Sequence, residues 1–473
     1  MLTAVERFAR TDHVERDRYR SRLPAAAPGP GQQYAFEVDL DACTGCKACV
    51  VACHSRNDLD PGESWRQVGL LVGTDAPYQQ AVTTGCHHCV DPACLSGCPV
   101  DAYEKDPVTG IVRHLDDQCI GCRYCTLMCP YEVPTYNARL GIVRKCDLCA
   151  ARLEAGAEPA CVQGCPTSAI SITLVDVSDV RRRTSWSIPA SPSPTLTAPA
   201  TVFRSARPVP VDAVPADHHR VAPAAGHRPL AVMLVLSQLA VGTYLAASHR
   251  AGVALAVVLL ALASSISHLG RPLHAWRAVL GLGHSWVSRE IVAFSAFTAL
   301  AALHAVLGKP PGWLPGVTAG FGIAGVVCSM AIYAATGRRW WRASRLTIAF
   351  GLSTAGLALG VGLVDGRAWA SVGLAVTTAL RLGSEAEILR HRGDATGELG
   401  RTAALLTGPL LPQVRWRVGL AVAGGIVLPV AAAMVGSVVL AGVALVALIA
   451  GELLDRTLLF TASAAPRMPG DRR

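Results

Sequence analysis

The chain has 473 residues, 51% of them hydrophobic, and 43 Lys and Arg against 34 Asp and Glu, a formal net charge of +9. This length exceeds one ordinary domain and suits two or three. The arginines are spread over short segments between apolar runs, without the concentrated basic stripe that nucleic-acid binding requires, so no nucleic-acid partner is expected.

Residues 1–34 are polar and end in a run rich in Pro, Gly and Ala, and we expect them to form a mobile lead-in. They contain no apolar stretch of signal-peptide length and no adjacent pair of arginines, so neither a secretory nor a twin-arginine export signal is expected. Cysteines that follow such a segment are more often metal ligands than disulfides.

Residues 35–178 hold sixteen of the seventeen cysteines, in four groups accompanied by short β-like runs. The recurrence of strand, cysteine group and helix-length segment predicts a duplicated ferredoxin-like domain of the α+β class. The first and third groups share the spacing C-x2-C-x2-C-x3-C, and the second and fourth widen its middle gap. In chain order the groups are Cys43, Cys46, Cys49 and Cys53; Cys86, Cys89, Cys94 and Cys98; Cys119, Cys122, Cys125 and Cys129; and Cys146, Cys149, Cys161 and Cys165.

This spacing is typical of [4Fe–4S] clusters, because three closely spaced thiolates surround one cubane and the fourth reaches the other cluster of a pair. Proline follows three of the four terminal cysteines, as Pro99, Pro130 and Pro166. Zinc sites use paired C-x2-C motifs without that proline, and disulfides need an oxidising compartment. Both remain as alternatives to the favoured iron–sulfur clusters.

The rest of the chain predicts a linker and a membrane domain. Residues 179–228 are rich in Pro, Ala, Ser and Thr, too poor in apolar side chains to form a core, and are expected to be a linker. Residues 229–460 predict an all-α polytopic membrane bundle, with a tail at 461–473. About eight spans are expected, although the short sixth and the nearly continuous last two leave seven or nine open: 229–248, 251–269, 290–308, 316–336, 346–365, 368–383, 417–435 and 437–455.

Arginines crowd the loops at one end of the predicted bundle, which is also the end that carries the linker. Loops rich in Arg stay cytoplasmic, so the cysteine-rich domain and both termini are expected on the cytoplasmic side of the plasma membrane. His304 is the one histidine well inside a predicted span, and no haem is expected. Glu452 and Arg456, four residues apart, are expected to form an interfacial ion pair.

The cysteine groups resemble those of the four-cluster iron–sulfur subunits of complex molybdoenzymes, of the dimethyl sulfoxide reductase and formate dehydrogenase kind, over residues 35–175. Residues 265–292 and 451–460 resemble the anchor subunit of dimethyl sulfoxide reductase, within a likeness that covers 229–460. The resemblance implies a separate catalytic subunit that holds a molybdopterin cofactor. Fusion of both subunits in one polypeptide, and clusters on the cytoplasmic side, depart from the family's usual arrangement.

The resemblance also implies which cysteines share a cluster, because the family pairs the first group with the last and the second with the third. Some relatives replace the second cysteine of the third group and then hold a three-iron cluster. Cys122 is present here, so four [4Fe–4S] clusters are expected. The implied ligand sets are Cys43, Cys46, Cys49 and Cys165; Cys146, Cys149, Cys161 and Cys53; Cys86, Cys89, Cys94 and Cys129; and Cys119, Cys122, Cys125 and Cys98.

His268 and Glu290 are the candidate quinol-site residues. His268 ends one predicted span and Glu290 begins the next, which places both at the end of the bundle expected to carry the clusters. Oxidation of a quinol releases two protons, so it needs titratable acceptors beside the ring, and ionisable groups at membrane depth are costly and tend to be functional. The alternative is a pair of interfacial residues that only end helices.

The expected function is oxidation of a quinol, menaquinol or a similar one, from the membrane quinone pool, with electrons passing through the clusters to the molybdopterin subunit in anaerobic respiration. A second hypothesis reverses the flow, as in a formate or sulfur-compound dehydrogenase that reduces quinone, because cluster potentials span a wide range. A third is a membrane-tethered redox sensor. Membrane lipid is a partner in all three.

Overall fold

The computed structural model describes residues 22–75, 77–186, 188–394 and 397–470. An α+β part that contains the cysteine groups is followed by a bundle of long apolar helices, as predicted. Residues 1–21 of the predicted lead-in and residues 471–473 of the predicted tail lie outside the described residues. Among the described residues, the first regular element begins at Gln32, inside the segment predicted as mobile.

Ten short strands of the described residues build the α+β part: β1 (Gln32–Asp39), β2 (Gln67–Val72), β3 (Gln79–Thr84), β4 (Tyr103–Lys105), β5 (Val112–His114), β6 (Thr135–Asn137), β7 (Ile142–Arg144), β8 (Ile170–Asp176), β9 (Val202–Arg204) and β10 (Val214–Pro215). In one sheet β1 lies between antiparallel β8 and parallel β9. In the other, β2 lies between β10 and β3 with both pairings antiparallel, and β4–β5 and β6–β7 form separate hairpins.

The short helices of this part are α1 (Ala48–Arg56), α2 (Ala93–Ser96), α3 (Tyr124–Met128), α4 (Ala150–Glu154), α5 (Ala160–Gln163) and α6 (Val177–Arg182), and α1, α2, α3 and α5 each contain a cysteine of a different group. The first and third groups follow the same backbone path. Gly45 and Lys47 in one, and Gly121 and Arg123 in the other, all adopt left-handed conformations with φ between 61° and 75°. A non-glycine residue is held there only when its surroundings demand it, so the shared path supports the predicted duplication.

The segment 179–228, predicted as a linker, instead packs along the cysteine-rich part. Its strands β9 and β10 extend the two sheets, and Ile188, Ala200 and Phe203 are buried. The Phe203 ring lies 5.7 Å from the ring of Trp186. A Pro- and Ala-rich segment needs no core of its own when it pairs with existing sheet edges and places scattered apolar residues on an existing core.

Long helices form the second part: α7 (Arg228–Ala246), α8 (Ala251–Ser267), α9 (Trp286–Leu307), α10 (Trp313–Ala334), α11 (Ala343–Val364), α12 (Ala370–Ala386), α13 (Glu398–Thr407), α14 (Leu411–Val422), α15 (Leu428–Val435) and α16 (Val438–Thr461). A π-helical turn joins α14 and α15 into one span. Within the described residues, seven helices are long and apolar enough to cross a membrane. The sixth predicted span is the shorter α12, with 17 residues, so the estimate of about eight corresponds to seven long helices and one short one.

The connection between α8 and α9 lies backbone against backbone on the cysteine-rich part. Gly270 in this connection lies against Gly121 and Gly141, both of which have positive φ. A Cβ added to Gly270 would overlap the backbone of Gly141, and a Cβ on Gly121 would overlap the same carbonyl. We call this three-glycine contact the seam; it leaves no room for a side chain between the two parts of the chain.

Hydrogen bonds extend the seam to the second cysteine group. The connection contains a run of 3-10 turns at Pro272–Gly283, where the Gly281 N–H donates to the Pro99 carbonyl at 2.9 Å. The Ser285 hydroxyl donates to the Gly97 carbonyl at 2.7 Å. The second and third cysteine groups are therefore fixed directly on the membrane helices.

Gly270→Ala is expected to destabilise the seam by about 1–3 kcal/mol, because the added methyl group forces two backbones apart. Thermal unfolding of the detergent-solubilised protein, followed by tryptophan fluorescence, should show a lower midpoint than for the unchanged protein. Gly252→Ala in α8 is the matched control, since a Cβ there meets nothing within 4 Å. Equal midpoints for the two variants would contradict the role of the seam.

Candidate functional site

The cysteine thiols lie together in four sets, and each set combines three thiols of one group with the fourth thiol of another. In each set, burial raises the pKa of a member thiol, and the charges of the neighbouring thiolates of that set raise it further, as they do for Cys43, Cys53, Cys89 and Cys125. The structure places near one another the thiols that the resemblance assigned to common clusters, and the assignment of each set to one cluster stays a prediction. The sets are Cys43, Cys46, Cys49 and Cys165; Cys53, Cys146, Cys149 and Cys161; Cys86, Cys89, Cys94 and Cys129; and Cys98, Cys119, Cys122 and Cys125.

Two buried cations lie among these sets. Arg66 and Lys145 are each 3% exposed, and neither forms an ion pair with Asp or Glu in the described part of the chain. Arg66 donates to the Thr83 hydroxyl at 3.2 Å, and Lys145 Nζ lies 3.8 Å from Cys86 Sγ. A buried cation is costly without a counter-charge. Because iron–sulfur clusters ligated by four thiolates are anionic, these residues fit clusters bound at the thiol sets.

The surroundings of the sulfur atoms also fit clusters. The Gly121 N–H donates to Cys119 Sγ and the Leu148 N–H to Cys146 Sγ, both at 3.4 Å, as amides do around cluster sulfurs. The thiols of a set do not converge on one point: no three metal-binding side chains of the described residues stand close enough to share a single ion. Burial raises the pKa of Cys53 to about 12, so this thiol stays protonated until a metal displaces the proton.

The set of Cys98, Cys119, Cys122 and Cys125, which we call the membrane-proximal set, adjoins the helix bundle. Leu269 and Ala278 of the α8–α9 connection pack in the same apolar cluster as these cysteines. The hydroxyl of Tyr124 in α3 donates to the Ile332 carbonyl of α10 at 2.7 Å. The membrane-proximal set therefore lies against the α8–α9 connection and the end of α10.

Both candidate quinol residues lie beside the membrane-proximal set. His268, just after α8, faces the backbone of Cys122, and its Nδ1 atom is buried without a hydrogen-bond partner in the described part of the chain. Glu290 in α9 is 6% exposed and accepts a hydrogen bond from the Ser329 hydroxyl of α10. Glu290 is also close enough to Tyr124 to act on it electrostatically. A buried carboxyl group and an unpartnered imidazole nitrogen are suited to receive protons.

The prediction that Glu452 and Arg456 pair with each other is wrong, because each forms ion pairs with other residues. Glu452 pairs with Arg381 at 3.5 Å and with Arg417 at 3.4 Å, whereas Arg456 pairs with Asp455 at 2.6 Å. The i, i+4 rule considers one helix alone, and here α12 and α14 each bring an arginine to α16. The sequence did contain a sign of this pairing: Arg381 lies inside a predicted span, and a charged residue there needs a partner of opposite charge on a neighbouring helix.

His304 lies in α9, where its Nδ1 atom is 2.6 Å from the Tyr244 hydroxyl of α7. This hydrogen bond gives the buried imidazole a polar partner on the neighbouring helix. The absence of haem remains a prediction.

Comparison with known proteins connects these two parts of the chain. Residues 227–461 match the family model for the DMSO reductase anchor subunit (DmsC), and residues 78–174 match that for a 4Fe-4S dicluster domain. An anaerobic dimethyl sulfoxide reductase polypeptide of Haemophilus influenzae is 35% identical over 184 residues, which are 37% of this chain and 89% of the relative. The chain belongs to the dimethyl sulfoxide reductase family. It joins an iron–sulfur part like the Haemophilus relative to an anchor part like DmsC.

Other relatives share the iron–sulfur part. The probable anaerobic dimethyl sulfoxide reductase component YnfG of Escherichia coli K12 is 36% identical over 182 residues, 36% of this chain and 88% of the relative. The thiosulfate reductase electron transfer subunit PhsB of Salmonella typhi is 40% identical over 155 residues, 32% of this chain and 80% of the relative. As a member of the family, the protein binds iron–sulfur clusters, transfers electrons within an oxidoreductase complex, and crosses the membrane several times.

Lys145→Gln is expected to lower the reduction potential of the clusters next to Cys86 and Cys146, because the buried cation stabilises the more negative reduced state. Loss of one buried charge at this range corresponds to a shift on the order of 100 mV. Redox titration followed by electron paramagnetic resonance measures the shift. Lys47→Gln removes an exposed charge within the first cysteine group and is the control, with a much smaller expected shift. Equal potentials in both variants would contradict the charge-compensating role of Lys145.

Proposed function

We propose that the protein oxidises a quinol, menaquinol or a similar one, at His268 and Glu290 and passes the electrons through four [4Fe–4S] clusters to a separate molybdopterin-containing catalytic subunit. The position of both residues beside the membrane-proximal cysteine set carries this proposal. Electrons leaving a quinol held there would have a short path to that set.

The proton chemistry rests on the two side chains. A quinol gives up two electrons and two protons when it becomes a quinone, so each hydroxyl needs an acceptor. The free Nδ1 atom of His268 and the carboxylate of Glu290 supply two, and Ser329 orients the carboxylate by its hydrogen bond. A [4Fe–4S] cluster bound at the membrane-proximal set would accept the electrons one at a time.

The order of the cysteine sets supports a linear route away from the membrane. Tyr103 lies against thiols of both the membrane-proximal set and the set of Cys94. Cys86 of that second set is close to Cys146 of the third, and Cys161 of the third is close to Cys49 of the fourth. Four clusters in this order form a row that begins at the bundle, as an electron-transfer subunit requires.

Glu290→Gln is expected to lower quinol-dependent reduction of the clusters at least about a hundredfold, because general-base groups typically contribute that much. Stopped-flow absorbance of the purified protein after addition of a menaquinol analogue measures the rate. Dithionite, which bypasses the quinol site, should reduce the clusters of the variant as fully as those of the unchanged protein.

Glu387→Gln is the control, because this exposed glutamate lies at the same end of the bundle and does not contact Ser329. Ser329→Ala should reduce the rate less than Glu290→Gln, since it removes only the orienting hydroxyl. An unchanged rate for Glu290→Gln, with normal dithionite reduction, would refute the assignment of the quinol site.

Gentle detergent purification of the tagged protein from native membranes tests the proposed partner. We expect a co-purifying large subunit, one pterin-bound molybdenum or tungsten, and about sixteen irons from four cubanes in addition to any in the large subunit. The same iron content without a large subunit or pterin metal would contradict the proposed complex and favour the redox-sensor hypothesis.

A further inference from the structure

A cavity lies inside the membrane bundle, and neither His268 nor Glu290 lines it. It has a volume of about 520 Å³ and is enclosed by the ends of α11, α12, α14 and α16. These ends face the cysteine-rich part, since the Ala224 N–H donates to the Thr461 carbonyl at the end of α16. Apolar side chains such as Leu346, Leu406 and Leu458 form most of its wall.

Positive charge exceeds negative charge in the lining of this cavity. Three of its arginines belong to the buried ion-pair network: Arg381, Arg417 and Arg456 pair with carboxylates of that network. Two more arginines remain outside it. The charged lining residues are Arg345, Arg381, Arg392, Arg417 and Arg456 against Glu385 and Asp455.

The two additional arginines are not paired with carboxylates of the described residues. Neither Arg345 nor Arg392 forms an ion pair within those ranges, and the Arg345 guanidinium stacks 3.9 Å from the centre of the Trp340 ring. Arg417 is 2% exposed, and its Nη1 atom is buried without a hydrogen-bond partner in the same part of the chain. A guanidinium without a carboxylate at ion-pair distance can still bind an anion, so Arg345 and the exposed Arg392 give this cavity an anion-binding edge.

We propose that this cavity binds an anionic phospholipid, with the phosphate at Arg345 and Arg392 and an acyl chain along the apolar wall. Guanidinium groups bind phosphate oxygens in pairs of parallel hydrogen bonds, and basic pockets between membrane helices are suited to lipid headgroups. The site is independent of the proposed quinol site.

A quinone fits this cavity less well than an anionic lipid. Its head is uncharged and offers no anionic group to the guanidinium groups of Arg345 and Arg392. No described residue of the cysteine-rich part lines the cavity, so a quinone there would not adjoin the membrane-proximal set.

The test uses the full-length protein, purified in detergent and stripped of lipid, with phosphatidylglycerol as the probe and native mass spectrometry as the readout. The double variant Arg345→Gln/Arg392→Gln should bind phosphatidylglycerol about tenfold more weakly, because two charge-assisted contacts are lost. The matched control is Arg342→Gln/Arg390→Gln, which removes two exposed arginines near the same positions that do not line the cavity. This control should bind as tightly as the unchanged protein.

Leu389→Trp provides a second variant that keeps every charge. Leu389 lines the cavity and is 44% exposed, so a larger side chain can fill the space without disturbing the core. It should also weaken binding, with unchanged iron content showing that the protein is folded.

Three outcomes would overturn the proposal. The first is equal affinity for phosphatidylglycerol in the two double variants. The second is equally tight binding of phosphatidylcholine by the unchanged protein, because its headgroup has no net charge. The third is a quinone retained in the cavity in place of lipid. The first two outcomes do not bear on quinol-dependent cluster reduction, which is measured with Glu290→Gln; the third, combined with an unchanged rate for Glu290→Gln, would instead move the quinol site to this cavity.

Discussion

Two backbones meet without a side chain between them where Gly270 lies against Gly121 and Gly141. Gly121 stands between two cysteines of the membrane-proximal set, and Gly270 is two residues after His268. The same contact therefore fixes the distance between a cluster position and the face of the bundle where we propose that quinol binds. A larger residue at any of the three positions would separate them, and electron transfer depends on their remaining close.

Buried charge is compensated differently in the two parts of the chain. In the cysteine-rich part, Arg66 and Lys145 are surrounded by thiols and pair with no carboxylate of the described residues, as expected if anionic clusters at these thiols supply their counter-charge. In the membrane part, Arg381 and Arg417 are compensated by carboxylates of neighbouring helices. Folding of the first part should thus depend on iron more strongly than folding of the second, because unpaired buried cations destabilise it when the clusters are absent.

Features that depend on residues close together in sequence could be predicted from the sequence. The cysteine spacing and the short β-like runs that became β1, β5 and β8 indicated the iron–sulfur fold, and apolar length indicated the spans. Contacts between distant segments were harder to predict. The order of residues 179–228 depends on sheet edges made elsewhere, and the true partners of Glu452 come from helices about 35 and 71 residues away in sequence. Amino-acid composition could not predict that residues 179–228 are ordered, and the i, i+4 rule could not predict the partners of Glu452, because both depend on contacts between distant segments.

Arginines in the loop between two membrane helices hold the cysteine-rich part in place. Arg271 and Arg277, in the loop between the second and third long helices, donate to the carbonyls of Asp116 and Asp117 at 2.8 and 2.7 Å. Such loop arginines are those that the positive-inside rule counts when it assigns a side of the membrane. Because they bind the segment that leads into Cys119, the clusters must lie on whichever side retains these loops. Charge reversal in this loop would therefore remove both contacts to the cysteine-rich part and the positive charge that the positive-inside rule counts, so one change would test docking and orientation together.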